Sequence, residues 1–173
     1  MTAKTVYEAI ARTAARWPDR LVMEVLPGTA STYGIESGPI TYGKFLDAVK
    51  ARSNAFTGAG YRAGMRVAVL LENRPAFFEI FAALNRIGVS IVPINPDLRT
   101  SELEYLIGHA EPALIIALPD RQNALCQAAE AAGCNLSVIG PDEAPPSPHR
   151  EAVISAAETG DACEAALLYT SGT

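Results

Sequence analysis

Residues 64–117 read GMRVAVLLENRPAFFEIFAALNRIGVSIVPINPDLRTSELEYLIGHAEPALIIA, and the order of apolar runs within them decides the fold. MRVAVLL is a short apolar run of strand length. NRPAFFEIFAALNRIG has helix punctuation: Pro75 suits a first turn, where its missing N–H costs nothing, and Gly88 suits a stop. VSIVPIN is the next strand. TSELEYLIGHA is the next helix, with Thr100 or Ser101 expected as its cap and Glu102 and Glu104 near the positive end of its dipole. ALIIAL is a strand, PDRQNALCQAAEAAG a helix that again opens on proline and closes on glycine, and NLSVIG a strand. Short strands alternating with helices make βαβ units. The expected class is therefore α/β, with a mainly parallel sheet flanked by helices on both faces and right-handed crossovers.

Working outward, MTAKTVYEAIARTAARWPDR reads as an amphipathic N-terminal helix with Val6, Ile10, Thr13 and Trp17 on one face. Glu8 and Asp19 argue against a transit peptide, which would be poor in acids. RLVMEVL is a strand, and PGTASTYGIESGP a loop that could return the chain through PIT as a β-hairpin. Thr41 caps a helix carrying Phe45, Leu46, Val49 and Phe56, ended by Gly58 and Gly60. Residues 141–150 are a proline-rich linker, REAVISAAETG is a weak helix or loop, and AALLYT is the last strand.

The acidic balance, −5 net with a pI near 5.0, argues against a nucleic-acid partner, which would favour a basic face. No run approaches the roughly 18 apolar residues of a bilayer span. With no secretory signal either, the expected compartment is the cytoplasm. The cysteines at 126, 134 and 163 contain no C-x-x-C pair and read as small buried hydrophobes. With only two histidines they make no metal set.

Several motifs carry less than they suggest. GAGYRAG, Gly58–Gly64, follows a helix and precedes a strand, whereas a phosphate-binding glycine loop opens a helix. It reads as an αβ loop. His109 sits where a helix ends and suits the dipole there. Glu102 and Glu104 are two apart and point in different directions, so they are no acid–base pair. Glu111-Pro112 ends a helix. YTSGT is different. A strand emptying into Thr-Ser-Gly-Thr sets hydroxyls and free N–H groups at the carboxyl end of a sheet, where open α/β folds bind ligands. Glycine lets the backbone approach an anion, and successive N–H groups can nest phosphate oxygens.

Taken together, these segments resemble the N-terminal part of the adenylate-forming acyl-CoA synthetases, the superfamily that also holds luciferase and the adenylation domains of peptide synthetases. The likeness runs through TYGKFLDAVKARSNAF, the stretch from Gly64 to Ala117 and LLYTSGT, in order and at the family's spacing. Asn95-Pro96 is more similar to the acyl-CoA and aryl-CoA ligases, while Met65 stands where the family commonly has Asp. The resemblance implies that residues 1–173 are the N-terminal portion of an AMP-binding domain, an incomplete lobe of a larger fold. It implies ATP, Mg²⁺ and CoA as cosubstrates, a carboxylic acid as substrate, and Thr170, Ser171, Gly172 and Thr173 as phosphate contacts. It assigns no catalytic residue here. The family's loop continues to a proline, a lysine and a glycine that do not follow Thr173, so the chain reads as truncated and inactive alone. Two other readings stand beside it: a stand-alone, non-catalytic interaction module on the same fold, and the start of an amino-acid-adenylating domain. A truncated sheet would also expose an edge, so self-association is expected.

Overall fold

The computed structural model describes residues 3–149 and 164–170. Its elements run α1 (Val6–Arg16), β1 (Leu21–Val25), α2 (Pro27–Tyr33), β2 (Gly38–Thr41), α3 (Tyr42–Ala59), β3 (Arg66–Leu70), α4 (Pro75–Arg86), β4 (Ser90–Pro93), α5 (Thr100–Ala110), β5 (Leu114–Ala117), α6 (Pro119–Ala131) and β6 (Ser137–Ile139). The apolar runs of the sequence form one parallel sheet in the order β4-β3-β5-β6.

Alternation along the strands sorts the core into two layers. Val67, Val69 and Leu71 point to the face covered by Phe56 of α3 and by Ile80 and Leu84 of α4. Ala68 and Leu70 point to the other face, under Leu106 and Ile107 of α5 and Leu125 and Ala128 of α6. Both faces are dry, which is why these strands read as unbroken apolar runs. Each large aliphatic side chain buried there contributes about 1.5–3 kcal/mol before the entropy of ordering it is subtracted. β3 sends its chain into α4 on one face, and its neighbour β5 sends its chain into α6 on the other. The sheet therefore has a topological switch between β3 and β5, with the carboxyl ends of the strands open beside it.

The N-terminal region packs on this sandwich through α4. β1 and β2 pair antiparallel, from Leu21↔Thr41 to Val25↔Gly38. The hairpin is present, but its connection is not a simple loop: Pro27–Tyr33 is helical. Its sequence holds both signals, Pro27 at the first turn and Gly34 in the left-handed conformation at the stop (φ 62°), but over only seven residues. The packed face of α1 also differs from the expected one. Tyr7, Ile10 and Ala14 turn inward, while Val6 and Trp17 remain 41% and 42% exposed. Arg16 and Arg20 lie over the Trp17 ring, giving it cationic cover in place of a core contact.

The expected caps hold at Thr41, whose hydroxyl accepts from the Lys44 N–H, and at Gly60. At α5 the cap is Arg99, one residue earlier than expected, because the Glu102 carboxylate reaches back to the Arg99 N–H at 2.8 Å. That bond takes up a backbone donor that a Thr or Ser side chain would not serve. Gly58 and Ala59 of the GAGYRAG run close α3, the rest is the αβ loop into β3, and the Gly64 N–H donates to the Gly88 carbonyl at 3.3 Å. Cys126 is exposed and Cys134 half-buried, so neither is the core filler expected, and Cys163 lies outside the described residues. The REAVISAAETG stretch lies outside them too.

Candidate functional site

The segment 164–170 returns to the sheet on the free side of β4. The Ile91 N–H donates to the Ala165 carbonyl at 3.3 Å, and the Leu167 N–H donates to the Ile91 carbonyl at 2.9 Å. These two bonds make a single parallel bridge, Ile91↔Ala166, rather than the full strand expected over AALLYT. The reason is chemical. The next donor on this edge of β4 would be residue 93, and Pro93 has no N–H to give.

Side chains fix the segment where the ladder does not. At its start, Glu164 takes a bidentate grip from Arg66 at the base of β3, with Nε–Oε1 at 2.8 Å and Nη2–Oε2 at 3.0 Å. Arg66 also donates to the Ala110 carbonyl at the end of α5. The Arg66 hydrogen bonds hold the Glu164 carboxyl below its ordinary value, against an opposing push from burial. The same bonds raise Arg66. Ala166 then turns toward the α3/α4 layer, Leu167 and Tyr169 toward the α5/α6 layer, and Leu168 stays exposed.

At its far end, the Tyr169 hydroxyl meets Nδ1 of His109 at 2.6 Å. Tyr105, one turn earlier on α5, stacks on the His109 ring at 5.6 Å, and Tyr169 meets that ring edge-on at 5.7 Å. Burial raises the Tyr169 phenol above its ordinary value, while Arg66 pulls it down. The phenol therefore keeps its proton near neutrality. His109 was expected only to complement the helix dipole; the structure gives it a specific partner 60 residues away.

Beyond Tyr169, Thr170 reaches the rim of a cavity of about 690 Å³ at the carboxyl end of β4, lined among others by Pro93, Asn95, Ser101, Tyr105 and Leu168. Asn95 accepts the Asp97 N–H at 3.0 Å, and α5 starts three residues further on. The wall is apolar and aromatic, and the rim carries hydroxyl and amide groups. Glu102 also lines it, but its carboxylate is engaged by the Arg99 N–H. Such a lining can hydrogen-bond and orient a polar ligand.

A second, open cavity of about 960 Å³ lies beyond the carboxyl ends of β5 and β6 and at the start of α4, against the β1–β2 hairpin. Arg74 lines it, stacked 4.8 Å from the Tyr33 ring centroid and bonded to the Tyr33 carbonyl. Of the four phosphate contacts expected from the sequence, the structure places Thr170 at the first cavity. Ser171, Gly172 and Thr173 lie outside the described residues. Among the described residues no three His, Cys, Asp or Glu side chains stand together as a metal cage, and no helix is long and apolar enough to cross a membrane. Sequence reasoning missed Arg66, Glu164 and Tyr169, because their partners are 98 and 60 residues away and no local pattern announces them.

Comparison with known proteins identifies a family and a set of relatives. The family model for AMP-binding enzymes matches residues 10–173. A sulfoacetate–CoA ligase of Cupriavidus necator is 27% identical over 98% of this chain and 33% of its own length. A feruloyl-CoA synthase of an Amycolatopsis species is 31% identical over 90% of this chain and 30% of its own length. The chain thus spans about a third of the length of these curated relatives. Among solved structures, VinN superposes with a TM-score of 0.74 at 27% identity, covering 98% of this chain and 41% of that one.

Proposed function

The chain belongs to the AMP-binding enzyme family, and we propose that it supplies the opening of the ATP grip in an ATP-dependent acyl-CoA ligase. The observation that carries this reading is the course of residues 164–170. They run parallel to β4 and deliver Thr170 to the carboxyl end of the sheet, beside the Asn95-Pro96 turn. Thr170, Ser171, Gly172 and Thr173 would hold the β- and γ-phosphates through N–H groups and hydroxyls.

In the proposed reaction a carboxylate attacks the α-phosphate of ATP, pyrophosphate leaves, and the thiol of CoA displaces AMP from the acyl-adenylate. The contribution of these residues is positioning, together with stabilisation of the charge on departing pyrophosphate. Mg²⁺ would neutralise phosphate charge and would arrive with the nucleotide, because the described residues offer it no cage. With these phosphate contacts alone and no catalytic residue assigned, the 173-residue chain by itself should bind without turnover. We place the protein in the cytoplasm, where ATP and CoA are available.

The test is carboxylate-dependent exchange of labelled pyrophosphate into ATP by the gene product, across aliphatic, aromatic and amino acids. Exchange with a carboxylic acid supports the ligase. Exchange confined to amino acids would favour an amino-acid-adenylating protein, and none at all would favour a binding module. The outermost described backbone beside β4 is that of residues 165–168, with Leu168 70% exposed. Light scattering of the 173-residue chain should therefore show self-association. A clean monomer at high concentration would contradict that.

A further inference from the structure

We infer that Arg66 with Glu164, and His109 with Tyr169, are two clamps that set the position of Thr170, where the proposed phosphate loop begins. The four side chains are thus positioning residues for ATP, not contacts to it. The inference rests on the reading of Thr170 as the start of that loop.

The segment leading into Thr170 is short of backbone restraint. Among the described residues two backbone hydrogen bonds, both at Ile91, join it to β4, and Pro93 offers no N–H for a third. A strand held at one point can pivot about it. The clamps sit on either side of that point. Arg66 and Glu164 close the near end with two charge-assisted bonds, and both side chains are mostly buried, at 14% and 26% exposure. His109 and Tyr169 close the far end, one residue before Thr170. Tyr105 stacks on the outer side of the His109 ring and limits its rotation.

The two anchors also reach different parts of the fold. Arg66 belongs to the central strand β3, and His109 to the last turn of α5. The segment is therefore referenced to the sheet at one end and to the helix layer at the other. That arrangement fixes where Thr170 sits. Misplacing a phosphate donor by a fraction of an ångström weakens its transition-state contacts more than its ground-state ones.

Two measurements test this. The first needs no ligase activity: amide exchange at Leu167 in the 173-residue chain. Tyr169→Phe and Glu164→Gln should each speed exchange at Leu167 about tenfold, the effect of losing one ordinary hydrogen bond. His109→Asn, which keeps a polar atom where Nδ1 stands, should restore most of the protection lost in His109→Ala. Where Glu164→Gln disturbs folding, the exchanged pair Arg66→Glu with Glu164→Arg provides the rescue. Unchanged Leu167 exchange in both single variants would overturn the clamps, whatever the protein catalyses.

The second measurement is steady-state kinetics of the gene product. Tyr169→Phe should lower kcat/KM for ATP about tenfold, with the KM of the carboxylic acid and the melting temperature unchanged. Equal effects on both substrates would reduce the clamp to a stability element and overturn the positioning role. A wild-type protein without ATP chemistry would refute the proposed function, and the exchange data would still decide whether the clamps exist.

Discussion

Gly88→Ala should destabilise the chain much more than Gly133→Ala, although the two glycines have nearly the same backbone. Their φ angles are +71° and +69°, so an L-residue at either pays the left-handed penalty of about 1–2 kcal/mol. Reduced freedom of the unfolded chain returns some of that. The surroundings differ. A Cβ at Gly133 would meet nothing within 4 Å, whereas at Gly88 it would stand 2.9 Å from Ala63 Cβ and 3.3 Å from Ala63 Cα. Carbon pairs rest near 3.5–4.0 Å, so this is a true overlap, and overpacking of this kind costs about 1–3 kcal/mol. The expected losses are about 1 kcal/mol for Gly133→Ala and about 2–4 kcal/mol for Gly88→Ala. Ala63 is exposed, and Ala63→Gly removes the closer of the two contacts. It should therefore recover about 1 kcal/mol or more in the Gly88→Ala background. Urea denaturation of wild type and these three variants reads the differences directly as midpoint shifts at constant slope. Equal losses at the two glycines, or no recovery on Ala63→Gly, would refute the packing of the β3 and β4 entry loops described above.

Glu164→Gln should cost about 2 kcal/mol at pH 7, because it breaks a mostly buried charge-assisted pair. The folded carboxyl is held below its ordinary 4.5, so the stabilisation is complete above that pH and is lost as pH falls through the lowered value. Wild type and variant should converge under acid, and a gap at pH 3 as wide as at pH 7 would contradict the pairing. Tyr61 is buried against Phe56, its hydroxyl has no partner among the described residues, and burial pushes its phenol up to about 12. Tyr61→Phe should therefore be neutral, or stabilising by about 1 kcal/mol. Wild type should lose stability between pH 10 and 12, where the unfolded chain releases this proton and the folded one does not, and the variant should lack that component. Thr41→Ala should cost about 1 kcal/mol through the lost cap of α3, and thermal melts showing no change would remove that cap from the account.

The parallel sandwich was legible because burial on both faces and proline–glycine punctuation are local signals. Val67–Leu71, Pro75 and Gly88 announce β3, α4 and its end without reference to anything distant. What escaped was set by tertiary contacts. The α1 face rotated toward Tyr7 and Ala14 because α3 and α4 supply the surface it meets. The stop of α2 was written as Gly34, but seven residues are too few for periodicity to speak. In the site, YTSGT marked where the chain would present hydroxyls. Neither the Arg66–Glu164 pair nor the His109–Tyr169 contact could be read, because each depends on which strand becomes the neighbour of β4. Pro93 was visible all along, and its missing N–H explains why the last strand shrinks to one bridge.

The proposed reaction is the activation of a carboxylic acid by ATP and its transfer to CoA. The most direct test is to incubate the gene product with ATP, Mg²⁺, CoA and a panel of carboxylic acids, and to identify the products by mass. The account predicts an acyl-CoA thioester together with AMP and pyrophosphate, formed only when the acid is present. Formation of ADP, or nucleotide turnover indifferent to the acid, would contradict it.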